Sequence, residues 1–282
     1  MNAKKHVLIT GCSSGIGLCV AHGLRARGHT IIATARKQKD VEFLNSEGFD
    51  SFRLDLADSS SIHQAVEKIL AHTDGQLYGL FNNGAYGQPG AVEDISREVL
   101  RQQFETNLFG SHELTSLIIP AMRKQGAGRI IQNSSVLGLA SLPYRGAYNA
   151  SKFALEGLTD ALRLELYGTG IQVSLIEPGP IESKFRVNSH AMFRKNIDRE
   201  NSAHRDYYRG VEARLAKHGH AQPFTLPPEA VLKKVIHALE APRAKARYYV
   251  TVPTYLFGFA RRLFSTRMLD KIMLKVSAGE NK

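Results

Sequence analysis

His6-Val7-Leu8-Ile9-Thr10-Gly11-Cys12-Ser13-Ser14-Gly15-Ile16-Gly17 is an apolar, partly β-branched run that breaks into three closely spaced glycines. The run over 6–10 predicts a short buried strand. From Ile16 to Arg27 the apolar spacing becomes that of an amphipathic helix. A glycine turn between strand and helix lets the backbone approach a pyrophosphate, and the helix N-terminus presents unpaired N–H groups and the positive dipole end. The spacing here is G-x-x-x-G-x-G. Glycine turns also merely join strands to helices. In this strand–turn–helix context Gly11, Ser13, Ser14, Gly15, Ile16 and Gly17 are expected to hold a dinucleotide.

The next segments refine that expectation. Residues 30–35 read as a second strand that ends in Ala35, followed by Arg36 and Lys37. An NAD site would place a carboxylate near this position, against the ribose 2′-hydroxyl. None is present, and a guanidinium suits a 2′-phosphate through paired hydrogen bonds. NADP(H) is therefore the expected cofactor, with a solvated basic loop as the plain alternative. Residues 50–56 predict a third strand ending at Asp55-Leu56, placed to meet an adenine. Capping of the helix expected over 59–72 is the competing role for an acid there. Strand 78–82 leads into Asn82-Asn83-Gly84-Ala85. Asn82 and Gly84 are expected at the nucleotide, while Asn83 serves either there or as a tie between strand ends.

Proton-transfer chemistry is carried further along. Strand 129–135 ends in Ser134-Ser135, and a helix carrying Tyr148 and Lys152 runs to about Tyr167. Of the 10 tyrosines only Tyr148 has a lysine four residues on, which puts both on one helix face. A phenol titrates near 10 when unperturbed, and an adjacent ammonium is expected to lower that value. The Ser135 hydroxyl could bond the oxygen of a reacting carbonyl. Asn107 interrupts a long helical pattern from Arg97 to Lys124. Asparagine is a poor interior helix residue; it either distorts the helix locally and frees a carbonyl for water or, as the plainer reading of an isolated residue, is an ordinary polar helix position, and the resemblance described below favours the first. Strand 172–177 opens into Glu177-Pro178-Gly179-Pro180-Ile181, with Ser183 just beyond. That rigid turn could meet a nicotinamide carboxamide. Leu137, Leu139 and Leu142 read either as an apolar pocket wall or as ordinary core packing.

The 282 residues alternate strand and helix patterns, resuming with helix 228–240 and strand 247–252. This implies βαβ units and a parallel sheet in a single domain. Residues 186–226, polar and basic, read as an inserted lid or substrate-binding helix pair. Residues 254–276 read as two short amphipathic helices broken near Ser265-Thr266, docked either on the core or on a membrane surface. The net charge of +11 is uneven: residues 1–185 hold 18 basic and 18 acidic side chains, and residues 186–282 hold 19 and 8. A neutral body with a basic last third argues against nucleic acid and for a local anionic contact such as lipid headgroups, or for a merely solvated face. Cys12 and Cys19 read as buried thiols of a reducing compartment. No apolar run near 20 residues is present, so a cytoplasmic protein is expected, peripheral to a membrane if attached at all. No metal ligands are assigned.

Together these motifs resemble the short-chain dehydrogenase/reductase family. Thr10 to Gly17 resembles its nucleotide motif. Ser135, Tyr148-Asn149-Ala150-Ser151-Lys152 and Asn107 in Thr-Asn-Leu-Phe-Gly resemble its catalytic set, and Pro178-Gly179 resembles its turn after the sixth strand. The resemblance covers about residues 5–185. Within the family the chain looks closest to bacterial aldehyde reductases of the YbbO kind and to 17β-hydroxysteroid and retinol dehydrogenases. Two departures stand out: the usual Asn-Asn-Ala-Gly is Asn82-Asn83-Gly84-Ala85, and the usual threonine after the turn is Ser183. The resemblance implies a Rossmann-type doubly wound sheet of about seven strands with helices on both faces, pairing of the two long helices into a homodimer or homotetramer, and an NADP(H)-dependent exchange of hydride with an apolar aldehyde, ketone or alcohol. In that chemistry Tyr148 protonates the alkoxide and Ser135 orients it. Lys152 holds the ribose, and Asn107 supports a proton-carrying water. The alternative is a nucleotide-sensing module without turnover, which needs the glycine loop but not Ser135, Tyr148 and Lys152 together.

Overall fold

The computed structural model describes residues 5–217 and 224–280. Seven strands form one sheet: β1 (His6–Ile9), β2 (Thr30–Ala35), β3 (Asp50–Arg53), β4 (Gly79–Asn82), β5 (Gly128–Asn133), β6 (Ile171–Glu177) and β7 (Arg247–Tyr249). Their spatial order is β3-β2-β1-β4-β5-β6-β7, and every pairing is parallel. This is the expected doubly wound, Rossmann-type sheet. Strand order reverses between β1 and β4, which opens a crevice at the carboxyl ends of the strands, where ligands of such sheets bind.

Side chains alternate across the sheet, so each strand feeds two cores. On one face Val7, Ile9, Ile31, Ala33 and Ile176 pack under α1 (Gly15–Ala26), α2 (Gln38–Ser46) and α9 (Glu229–Glu240). On the other, Leu8, Ile32, Leu80, Ile130 and Val173 pack under α3 (Ser59–His72) and α5 (Gly110–Lys124). Each fully buried aliphatic side chain contributes about 1.5–3 kcal/mol, so the strand pattern alone accounts for both layers.

The long pattern over 97–124 is α4 (Arg97–Phe104), one π-helical turn (Glu105–Phe109) and α5. The distortion falls at Asn107, as its poor helix propensity implies. Gly110 follows it, and a Cβ there would lie 1.8 Å from the Leu56 carbonyl oxygen, so only glycine lets this helix cross the end of β3's segment. Strand β3 stops at Arg53, earlier than residue 56, although Leu54 N still donates to Ala35 O at 3.0 Å. Strand β7 stops at Tyr249 because Pro253 sits in the first turn of α10 (Val252–Leu263), where its missing N–H costs nothing.

The inserted segment holds the expected helix pair, α7 (Phe185–Asn196) and α8 (Arg205–Ala216), joined by a satellite core of Phe193, Ile197, Tyr208, Val211 and Leu215 against Ala91. Residues 218–223 of that insertion lie outside the described residues. The catalytic-motif helix is α6 (Gly146–Glu165). Arg247 at the sheet edge grips it through Glu156 and through Asp160 at 2.6 Å, and also holds Glu177 at 2.7 Å. The tail forms α10 and α11 (Thr266–Glu280), parted at Ser265 as expected. Met273, Ile272, Val276 and Phe257 of this pair pack on Val136, Leu137, Ala140 and Leu142. No described helix is long and apolar enough to cross a membrane.

Candidate active site

At the crevice the first strand is followed by Thr10, whose Oγ1 accepts from the backbone N–H groups of Asn83 (2.9 Å) and Gly84 (2.8 Å). The Asn83 amide donates back to Thr10 O at 2.9 Å and Gly11 O at 3.3 Å. Gly11 has φ +71°, and a Cβ there would stand 2.9 Å from the Gly84 Cα. Gly17 is closer still: its Cβ would meet the Gly11 carbonyl oxygen at 2.3 Å. The turn is therefore drawn tight and backbone-lined. Ser14 at the N-cap of α1 makes no side-chain cap, and the first turn carries no acid. The N–H groups of that turn remain available to an anion.

Asn83 reaches the other way as well. Asn133 Nδ2 donates to Asn83 Oδ1 at 3.0 Å, and the Asn133 carbonyl accepts from Lys152 Nζ at 2.7 Å. A continuous path of hydrogen bonds thus joins the glycine turn to the lysine of α6. The Asn82 side chain points elsewhere, donating to Thr115 Oγ1 at 2.8 Å, so only its backbone faces the crevice edge. Asp55 Oδ1 accepts from Ala57 N at 3.1 Å, while Asp58 caps α3 through Ser61 N. The capping role expected for an acid at this edge belongs to Asp58. Leu56 is buried, within contact range of Gly84.

Arg36 and Lys37 are exposed beyond β2. Arg53, which no sequence motif singles out, pairs with Ala35 in the sheet register and donates Nε to Arg36 O at 3.3 Å. Three cations therefore gather at the end of β2. The residues fit a 2′-phosphorylated dinucleotide: tight glycine turn, uncapped helix end, no carboxylate after Ala35.

Ser135 Oγ accepts from Leu137 N at 3.1 Å, which fixes the hydroxyl at the start of a short 3₁₀ turn over 136–138. Val136 N donates to Pro178 O at 2.7 Å, clamping this loop to the Pro178-Gly179 turn. Tyr148 packs among Val136, Leu137, Ala140, Leu142 and Met273. Burial pushes its phenol up to about 12, with a bond to Ser135 pulling the other way. The expected lowering by Lys152 is overturned here: the ammonium lies 5.7 Å from the ring centroid, too weak to offset desolvation. Burial pulls Lys152 itself down to about 8, against the opposing charge of Glu156. Asn107 uses its amide on Tyr86 (Nδ2 to O 2.9 Å, N to Oδ1 3.1 Å) and on Ser151 Oγ at 3.2 Å. A water near it would rest on the π-turn backbone, not on this amide.

Gly179 packs so closely under Thr251 that its Cβ would lie 2.1 Å from Thr251 Oγ1. Ile181 bridges to Leu226, and Ser183 stands over Gly15, closing the turn toward the glycine loop. Phe185, also unforeseen, lays its ring edge-on to Tyr148 at 5.3 Å between centroids. Cys12 is buried and its thiol is pushed up to about 12 by desolvation; Cys19 is only half-buried.

The profile described as short chain dehydrogenase matches residues 5–193. The chain belongs to the short-chain dehydrogenase family. It is 46% identical over 270 residues to the uncharacterized oxidoreductase YbbO of Escherichia coli K12, spanning 96% of this chain and 94% of that one. It is 33% identical over 282 residues to an NADPH-dependent 3-dehydrocapnine reductase of Ornithobacterium rhinotracheale, spanning 96% of each. With human 17-beta-hydroxysteroid dehydrogenase type 1 it shares 32% over 263 residues, 88% of this chain and 78% of that protein. As a short-chain dehydrogenase the chain is a nucleotide-binding oxidoreductase acting on CH–OH and C=O groups.

In Asn83→Ala, two backbone carbonyls and the Asn133 amide lose their partner. Unfolding in urea is expected to show a loss of about 2–3 kcal/mol, and fluorescence titration with NADPH and with NADH a weaker hold on whichever dinucleotide the parent binds. Unchanged binding would show that the path does not shape the cofactor turn.

Proposed function

We propose that this short-chain dehydrogenase is an NADP(H)-dependent reductase of apolar aldehydes or ketones, of medium- or long-chain aldehyde, retinal or steroid type. The observation that carries it is Tyr148 and Lys152 on one face of α6, with Lys152 hydrogen-bonded through Asn133 and Asn83 to the glycine turn. A nucleotide-sensing module would have no use for that connection.

Gly11, Ser13, Ser14, Gly15, Ile16 and Gly17 would hold the pyrophosphate. Arg36 and Lys37, with Arg53, would hold the 2′-phosphate; Asp55 and Leu56 would flank the adenine. The backbones of Asn82 and Gly84 would line the nucleotide, and Pro178, Gly179, Ile181 and Ser183 the nicotinamide side. When bound, NADPH supplies the hydride. Tyr148 is protonated throughout the neutral range because burial holds its phenol high, so it can donate to the oxygen of a reduced carbonyl. Ser135 orients that oxygen and stabilises its charge. Lys152 binds ribose hydroxyls and returns a proton to Tyr148, with water on the Asn107 turn as the outer source. Leu137 and Leu142 pack with the phenol, Leu139 is buried nearby in the same loop, and Phe185 lies edge-on to the phenol ring, surroundings that suit an apolar substrate. We place the protein in the cytoplasm as one domain, with 186–226 as the substrate lid. Phe109 and Leu158, exposed on the helices expected to pair, would join it into a dimer or tetramer.

NADPH oxidation with medium- and long-chain aldehydes tests the activity. Tyr148→Phe is expected to lower kcat/KM by about 10²–10⁴-fold; normal turnover would remove the assigned acid. Arg36→Asp is expected to shift the NADPH-over-NADH preference toward NADH by about tenfold or more, and an unchanged ratio would exclude the phosphate role. Lys152 is charged below about pH 8 and neutral above it. A pH–rate profile of reductive kcat/KM, which reports free-enzyme groups, should be level near neutrality and fall above about 8.

A further inference from the structure

Among the described residues, eight of the nineteen exposed large apolar side chains fall in one stretch, residues 252–274. Tyr255, Phe259 and Leu263 are spaced i, i+4, i+8 and form one row along α10, with Leu256 beside it. Met268 and Leu274 extend the exposed apolar surface onto α11. The opposite side of the pair is already occupied. Phe257, Ile272 and Met273 pack on the loop after Ser135, Gly258 lies against the Tyr249 ring, and Arg261 donates to Leu139 O at 3.2 Å while its guanidinium covers Phe153. Tyr255 meets the Tyr249 ring edge-on at 5.3 Å, while Leu256, Phe259 and Leu263 stand exposed beyond it, so the outward row is not a poorly packed core face but a second, open one.

Its charge names the partner. Arg262, Arg267, Lys271 and Lys275 are all exposed on the same two helices. None of them has a carboxylate partner among the described residues, whereas Arg27, Arg163, Arg199 and Arg247 elsewhere are each paired. An apolar row flanked by unpaired cations suits insertion at a bilayer surface bearing negative headgroups: the row enters the acyl boundary while the cations stay with the phosphates. A second copy of this chain fits less well. A two-fold contact would set the same cations against themselves, and like charges brought together across an interface are unfavourable.

We propose that α10 and α11 form an interfacial dock for anionic membranes. Docked there, the loop that walls Tyr148 lies one helix thickness, about 10 Å, from the lipid, and an apolar carbonyl compound dissolved in the bilayer has a short way to the pocket.

The test is co-sedimentation of the full chain with phosphatidylcholine vesicles, with and without phosphatidylglycerol, at low ionic strength. Binding is expected only with phosphatidylglycerol, weakening as salt is raised. Phe259→Ser/Leu263→Ser and, separately, Arg262→Glu/Arg267→Glu are each expected to weaken vesicle binding by about tenfold or more. All four side chains are exposed, so both variants should melt as the parent does and keep its NADPH-linked rate on a short, water-soluble aldehyde. That rate reports the proposed reductase activity separately, so its absence would not bear on docking. No binding to anionic vesicles, or equal binding by both variants, overturns the proposal. So does a dimer in size-exclusion chromatography that Phe259→Ser/Leu263→Ser converts to monomer without change in vesicle binding, since the row would then be a self-contact.

Discussion

The site depends on one carboxamide. Asn83 holds the carbonyls of Thr10 and Gly11 with its N–H₂ group and accepts from Asn133 with its oxygen, while the Asn133 backbone carbonyl holds the Lys152 ammonium. Three chain segments that end at the same sheet edge are thereby fixed to one another: the glycine turn after β1, the turn after β4 and the helix that follows β5. Parallel strands bring these ends together but do not set their relative height to within a fraction of an ångström. Hydrogen bonds in a buried setting do, because an unpaired carbonyl or amide there costs about 1–3 kcal/mol. The geometry of the glycine turn on one side and of Lys152 on the other thus comes from the same few polar atoms.

Burial decides the protonation states around that frame. The phenol of Tyr148 is kept neutral, and Lys152 is brought close to neutrality, by one cause acting in opposite directions on an acid and a base. Glu156, one turn beyond Lys152, works against the loss of its charge. Glu156 is itself gripped by Arg247, which also holds Glu177 at the end of β6. Burial and the nearby Glu156 carboxylate raise the Glu177 carboxyl. A charged lattice at the sheet edge therefore stands behind the catalytic helix and sets the field in which the lysine titrates.

The sheet, its seven strands and the glycine turn were legible because they depend on local signals: short β-branched apolar runs, glycine spacing and i, i+4 pairing. Asn107 was legible as a helix fault for the same reason. What escaped has a tertiary cause. Arg53 matters because β3 lies beside β2 in register, and Phe185 because an insertion folds back over α6. Asn83, left open between two roles, proved to be the tie once three distant strand ends were seen to meet. The direction of the Tyr148 shift was misjudged because i, i+4 spacing reveals an ammonium nearby but not the depth of the pocket.

That depth is owed partly to residues more than a hundred positions downstream. Met273 and Phe257 pack on the same loop side chains that surround the phenol, and Arg261 bonds the backbone of that loop. Without α10 and α11 the loop after Ser135 would face water along this side, the desolvation of Tyr148 would weaken, and the phenol would fall back toward its ordinary range. The tail thus belongs to the site through one face while the opposite face, apart from the edge-on contact of Tyr255 with Tyr249, stays exposed among the described residues. Two helices with one face committed to the loop around Tyr148 and the other to the surroundings form a physical link between what the surface touches and how the phenol titrates.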